Sequence, residues 1–428
     1  MTTATGHQLD TPGATPVFWQ DLSSRWSTFP RRTRLNHLKS AAGRVRSLWQ
    51  GSMDITALPL DLLLYQPENG SAAFPEHLLT RLPKPLSVAR LLEKLADWHA
   101  DARLTLAPGE GRFFLRHLLA DESIDIGCLR NAAAEIDDMA DTQAQIRAFK
   151  LYRSALGGQR TAFSRWRQSM RGFWATDPRI KAADLHEAIQ RAEADPATQI
   201  VKDGARIQVL RANLFGHDAL IKRYDLVPLG DRLKYIFRPS RARRAWAAAQ
   251  ALVRLRLPTP EPLGCLEIFR FGIPVHSYYI CAFLTDAAAA RTWIEPNFAD
   301  QPEALRTDFR KHLLRTLLAL YRHGVYHADT KTTNMLLSTP TDPVHRAFFW
   351  IDLECIRFGI VPGRHQLVRN LVQVNGSLGL KVSDHDRLRF LHDLARHYPW
   401  VTHKDVIRKI CDWTRRRLDN ERRRQCGS

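Results

Sequence analysis

The chain is predicted to be α+β: a mostly helical N-terminal region, a small antiparallel β-rich lobe, and a mainly helical lobe. Three observations predict this order. Apolar residues recur every three or four positions in VARLLEKLADWHA and CLRNAAAEIDDMA, the period of an amphipathic helix. From residue 199 the pattern switches to alternation with β-branched residues around glycine-bearing turns, which reads as short strands. Helical spacing then returns in EALRTDFRKHLLRTLLALYRHG.

The bounds are ordinary for a globular chain. It has 428 residues, 44% of them apolar, enough for two or three domains with real cores. No run of about 18 apolar residues suggests a membrane span. The start, MTTATGHQLDTPGATP, lacks a charged segment followed by an apolar one, so no secretory leader is expected. Six cysteines are scattered without a CxxC pair. That pattern argues against a zinc site or disulfide framework and fits a reducing compartment. The formal charge of +19 points to an anionic partner: nucleic acid, an acidic membrane surface or a phosphorylated substrate.

Residues 1–16 are polar and expected to be disordered. Residues 17–195 read as a mostly helical region, closed by the breakers TDP and ADPAT. Residues 196–286 form the expected β-rich lobe. QIVKDGARIQVLRANLFGHDALIKRYDL supplies three strands, SRARRAWAAAQALVRL a helix capped by Ser240, and CLEIFRFG and VHSYYICAFL two more strands. Residues 287–428 form the helical lobe: a long helix stopped by Gly324, the loop HGVYHADTKTTNMLL, the strand AFFWIDLE and a basic helical tail. An internal echo links SVARLLEKL–GRFFLRHLL, within 87–119, to QLVRNLVQV–LRFLHDLAR, within 366–396. The N-terminal region is thus a candidate decayed copy of the C-terminal helices, with two similar amphipathic helix pairs as the alternative.

The loop carries the chemistry. Transfer of a phosphoryl group from ATP to a hydroxyl needs a carboxylate to orient and deprotonate the acceptor. It also needs a cation near the transferred group, and hard oxygen ligands for Mg²⁺. Asp329 suits the base and Lys331 the cation. Asn334, five residues after Asp329, and Asp352, ending the strand FFWID, suit the metal. His327 would buttress the loop. Lys222, closing ALIK on the third strand, is placed to hold the α- and β-phosphates. Gly204, in the turn KDGAR, would cover them with backbone N–H groups. Taken singly, His327 reads as a satisfied core histidine, Lys331 as a surface lysine and Asp352 as a turn cap. Their joint spacing beside ALIK is what favours the chemistry.

This order of elements is that of a bilobal protein-kinase-like fold. HADTKTTN with WIDLE resembles the catalytic and metal motifs of the lipopolysaccharide kinases of the Kdo/WaaP group. KRYDL, FRPSRARRAW and LPTPEPLG resemble that group's neighbouring segments. The resemblance covers roughly residues 199–395. It implies an ATP- and Mg²⁺-dependent kinase that phosphorylates a heptose or Kdo sugar of the lipopolysaccharide inner core. It also implies a cytoplasmic enzyme, peripheral on the inner face of the inner membrane. The kinase-like fold further implies Ala282 and Leu284, ending VHSYYICAFL, beside the nucleotide. The Arg-rich segments RARRAW and TRRRLDNERRR would suit an anionic sugar lipid or membrane surface. Without a recognised nucleic-acid fold, nucleic acid is kept only as a minor option as a partner; the oligomeric state is left open.

The chain departs from protein kinases in three ways. Ala328 precedes Asp329 where protein kinases carry Arg. The metal motif is Asp-Leu-Glu without a glycine, and no A-P-E follows, which favours a sugar or small-molecule acceptor over a protein. Ser240–Arg256 contains no acid, so Lys222 has no acidic partner on the following helix. The alternatives are a kinase-like scaffold that binds nucleotide or lipid without turnover, and a kinase for another small hydroxyl compound.

Overall fold

The computed structural model describes residues 17–18, 30–55, 64–66, 71–73, 79–84, 86–102, 110–118, 126–157, 169–204, 206–225, 238–271, 273–294, 298, 300–338, 348–378 and 382–426. The expected disorder of residues 1–16 lies outside them. The chain divides into two compact units, residues 1–144 and 145–428.

The first unit holds β1 (Val17–Phe18), α1 (Arg31–Gln50), β2 (Met53–Asp54), β3 (Leu64–Gln66), β4 (Ser71–Ala73), β5 (Thr80–Arg81), α2 (Val88–Ala102), α3 (Glu110–Leu118) and most of α4 (Ile126–Leu156). Its strands form two small sheets, β1-β3-β4 and β2-β5. In α1, Leu38, Ala41, Ala42, Val45 and Leu48 are buried, the stripe that three- and four-residue spacing dictates. Leu91, Leu95, Leu118, Ile136 and Ala140 complete that core. Arg34 pairs with the buried Glu110 at 2.8 Å.

The second unit carries a six-stranded antiparallel sheet built from β6 (Met170–Trp174), β7 (Gln199–Lys202), β8 (Ile207–Leu214), β9 (His217–Asp225), β10 (Pro262–Arg270) and β11 (Ile273–Ala282), in the order β6-β10-β11-β9-β8-β7. The five strands expected after residue 199 are all present. The sixth, β6, comes from inside the stretch expected to be mostly helical. MRGFW is short, and its pairing with β10 (Gly264↔Trp174 to Ile268↔Met170) is long-range, so no local period announces it. The β8–β9 hairpin turns on Phe215 (φ 51°) and Gly216 (φ 83°), the paired positive dihedrals of a tight hairpin.

Each face of the sheet is covered by a helix. On one, α5 (Ala182–Ala194) packs Leu185 and Ile189 against Ala219, Ile221, Leu266 and Ile280. On the other lies α6 (Arg241–Arg254), with Ala242, Ala245, Trp246, Ala249 and Leu252 buried. Ser240 caps α6 as expected, its hydroxyl accepting from the Arg243 N–H at 3.0 Å; such a cap contributes about 1 kcal/mol.

The helical lobe follows: β12 (Ala287–Ala289), α7 (Ala290–Ile294), α8 (Glu303–Arg322), β13 (Val325–His327), β14 (Met335–Ser338), β15 (Phe348–Trp350), β16 (Ile356–Phe358), α9 (Arg364–Ser377), α10 (Asp384–Ala395) and α11 (Lys404–Cys426). Gly324 ends α8 at φ +64°, and a Cβ there would lie 2.8 Å from the Gln145 Cα. Both facts require glycine. Phe348 and Trp350 point inward from β15 and anchor the strand that carries Asp352. Among the described residues no helix is long and apolar enough to cross a membrane.

Candidate active site

The site is built from two short stretches of the helical lobe and one strand of the sheet. The first stretch leaves β13 as the loop 328–334. The second leaves β15 as Asp352–Cys355. β13 pairs with β16 (His327↔Ile356) and β14 with β15 (Met335↔Trp350), so the two stretches emerge side by side. The Ile351 N–H donates to the Asn334 carbonyl at 3.0 Å, and Trp350 N–H donates to the Pro258 carbonyl at 3.0 Å. The Thr259 hydroxyl donates to the Trp350 carbonyl at 2.9 Å. LPTPEPLG thereby holds the strand ahead of Asp352.

Within the loop, the Asn334 side-chain amide donates to both the backbone carbonyl and the Oδ2 of Asp329, each at 3.0 Å. Lys331 Nζ stands 3.3 Å from the same Oδ2. Base, cation and amide candidates therefore share one carboxylate. His327 is fully buried and ties the two stretches together. Its Nδ1 accepts from the Asp329 N–H at 3.1 Å, and its Nε2 lies 3.2 Å from the Ile351 carbonyl. An acceptor Nδ1 leaves the proton on Nε2, so the ring is the neutral tautomer that donates to Ile351. Burial lowers its pKa, which keeps that state. His327 sits beneath the loop as the buttress.

Lys222 reaches the second stretch from β9. Its ammonium pairs with Asp352 Oδ1 and stands 3.3 Å from Glu354 Oε2. Burial acts to lower the Lys222 pKa, but Glu354 and Asp352 outweigh it and the net direction is up. Asp352 shows the mirror case. Burial would raise it, and the Lys222 charge and hydrogen bond bring it below the usual carboxylate range. It is therefore ionised at neutral pH. Asp352 adopts φ 63°, ψ 48° before the tight turn Leu353–Cys355, a left-handed conformation that Asp tolerates better than most residues. That turn brings both carboxylates to Lys222.

Sequence reasoning missed several residues that complete the site. Glu354 is the acid that Lys222 lacked on α6, and the Tyr224 hydroxyl also donates to it at 3.0 Å. It lay inside the quoted WIDLE; an unpaired lysine seeking the nearest acid after the metal motif was the available signal. On α9, Asn370, Gln373 and Ser377 form a polar row that grips the loop. Asn370 Nδ2 donates to the His327 carbonyl at 3.0 Å and Gln373 Nε2 to the Ala328 carbonyl at 2.7 Å. The Thr330 N–H donates to Gln373 Oε1 and the Thr332 N–H to Ser377 Oγ, each at 3.0 Å. Their spacing of three and four in LVRNLVQVNGS puts them on one helix face.

Gly204, Ala282 and Leu284 stand apart. Gly204 follows β7, its carbonyl accepting from the Ile207 N–H at 3.2 Å. Ala282 ends β11 opposite Ala219, on the face that α5 covers, whereas Lys222 lies opposite Tyr279 on the other face. Among the described residues, none of the three joins the hydrogen bonds and ion pairs linking the rest. Cys281, one position before Ala282 in β11, is the residue whose thiol feels the Lys222 charge, though burial dominates and pushes it up to about 12.

No protein-family model matches the chain, and no curated protein does. Among solved structures, "WaaP in complex with acyl carrier protein" is similar at 19% identity and a TM-score of 0.40, over 54% of this chain and 91% of that one. "Crystal structure of BubR1 kinase domain" is similar at 13% identity and a TM-score of 0.31, over 54% of this chain and 96% of that one. The second unit is α+β, a six-stranded antiparallel sheet followed by a mainly helical lobe.

Proposed function

We propose that the second unit is an ATP-dependent phosphotransferase whose acceptor is a sugar hydroxyl, a heptose or Kdo of the lipopolysaccharide inner core. One observation carries the reading. Lys222 from the sheet meets Asp352 and Glu354 from the helical lobe, while the Asp352 stretch is hydrogen-bonded to the loop holding Asp329, Lys331 and Asn334. Six residues from three separate stretches of the chain converge with the donor types that phosphoryl transfer requires. The sugar acceptor rests on the resemblance of HADTKTTN and WIDLE to the lipopolysaccharide kinases, and on the absence of a protein-kinase Arg before Asp329.

In this reading Asp329 accepts the proton of the acceptor hydroxyl as its oxygen bonds to the γ-phosphorus and the bond to the ADP oxygen breaks. Asn334 and Lys331 keep that carboxylate aimed, because both contact its Oδ2. Lys331 carries positive charge beside the transferred group, and Lys222 holds the α- and β-phosphates. A carboxylate and an amide oxygen form a hard donor pair that fits Mg²⁺, which takes one or two protein ligands plus phosphate and water. Asp352 and Asn334 would hold it. Bound there, Mg²⁺ would neutralise charge on the phosphates. The net charge of +19 suits an anionic sugar lipid at the inner face of the inner membrane, with the exposed arginines at the centre of α11 toward the surface.

The test is transfer of labelled phosphate from ATP to purified inner-core lipopolysaccharide lacking core phosphate, with Asp329→Ala as control. Label with wild type alone, and ATP binding retained in the variant, is the expected result. Full activity of Asp329→Ala would remove it as base. ATP binding without transfer in either would favour the scaffold reading or another acceptor.

A further inference from the structure

We infer that Glu354 is the positioning residue that holds Lys222 in place and leaves Asp352 available to the metal. The inference rests on the phosphotransferase reading and extends it to the metal dependence of that site.

Kinases of this fold orient the sheet lysine with a glutamate on the helix that follows it. Here that helix, α6, has no acid from end to end. The lysine is instead flanked by two carboxylates of one turn, Asp352 and Glu354. They are not equivalent. The Glu354 side chain is 6% exposed and that of Asp352 is 32% exposed. Glu354 is also fixed by a second donor, the Tyr224 hydroxyl at 3.0 Å. Tyr224 is two residues from Lys222 on the same strand face and is itself buried. Lysine, tyrosine and glutamate are thus linked on the buried side, while Asp352, also paired with Lys222, is the more exposed carboxylate, on the side where a nucleotide and its metal would arrive.

The division has a consequence for metal binding. Two carboxylates against one ammonium leave a net negative charge. When Asp352 turns to a cation, Lys222 keeps a full counter-charge in Glu354. With Glu354 neutralised, Asp352 would be the lysine's one remaining carboxylate here, and a metal would compete directly with the ammonium for it. The cation would also enter a neutral rather than a negative cluster. Both effects oppose metal binding.

The experiment is ATP binding to the full chain by calorimetry across a Mg²⁺ series, with thermal unfolding alongside. Glu354→Gln is expected to raise the Mg²⁺ concentration for half-maximal binding about tenfold, the scale of one lost charge-assisted contact. Glu354→Asp, which keeps the charge, recovers part of that loss; a space-filling role would give no such rescue. Tyr224→Phe, which loosens Glu354 without touching charge, is expected to give a smaller rise, and serves if Glu354→Gln does not fold. A Mg²⁺ requirement unchanged in all three variants, with wild type binding normally, overturns the assignment of Glu354 alone. Absence of Mg²⁺-dependent ATP binding by the wild type overturns the underlying reading as well.

Discussion

Replacing Gln373 by Leu is expected to release the loop that carries Asp329. Gln373 is 4% exposed, so water does not replace what it provides. Its Oε1 accepts from the Thr330 N–H at 3.0 Å and hydroxyl at 3.1 Å, and its Nε2 donates to the Ala328 carbonyl at 2.7 Å. Leu fills nearly the same volume, so no large cavity opens. What changes is polar: the Thr330 N–H and the Ala328 carbonyl lose those partners inside the protein. Each orphaned buried group costs about 1–3 kcal/mol, giving a combined loss of about 2–4 kcal/mol once partial relaxation is allowed. At about 2–4 °C per kcal/mol for a domain of this size, the unfolding midpoint should fall by roughly 4–16 °C. Thermal unfolding followed by circular dichroism measures this directly. Below the transition, phosphate transfer should fall more than ATP binding, because the loop aims Asp329, the proposed base, whereas Lys222 lies on β9. A midpoint within about 1 °C of wild type would show that α9 does not hold the loop.

Two further outcomes follow from the same geometry. Asp352→Ala should abolish Mg²⁺-dependent nucleotide binding; unchanged magnesium dependence would count against Asp352 as a metal ligand. Acidification should destabilise the fold partly through His327. Burial lowers its pKa from the ordinary 6.5, so the unfolded chain takes up a proton that the folded chain refuses. The stabilisation is complete above about pH 6.5 and declines as pH falls below it. His327→Gln should flatten the pH dependence of the unfolding free energy without abolishing it, since burial also lowers His37, His117 and His397. A slope identical to wild type would exclude His327 as a contributor.

Much of the second unit was legible in its residues because local rules governed it. Strands β7–β9 lie in one stretch of alternating and β-branched residues around glycine-bearing turns, α6 begins at a serine cap, α8 ends at a glycine that its backbone angle demands, and the short gap from His327 to Asn334 keeps those residues in one loop whatever surrounds them. Lys222 and Asp352 were readable for the same reason, each ending a recognisable strand motif. Other features depended on which distant segments meet. The strand at 170–174 exists through its pairing with β10, and its own five residues carry no sufficient period. The acid facing Lys222 comes from Glu354, a residue 132 positions away, because a left-handed turn at Asp352 swings it back toward the sheet. Asn370, Gln373 and Ser377 look like polar interruptions of an apolar helix until the loop's carbonyls and N–H groups are set against them. Spacing along the chain constrains neighbours within a few residues; a charge or hydrogen-bond partner across the cleft is chosen by packing, which brings together groups whose sequence separation carries no information about their distance.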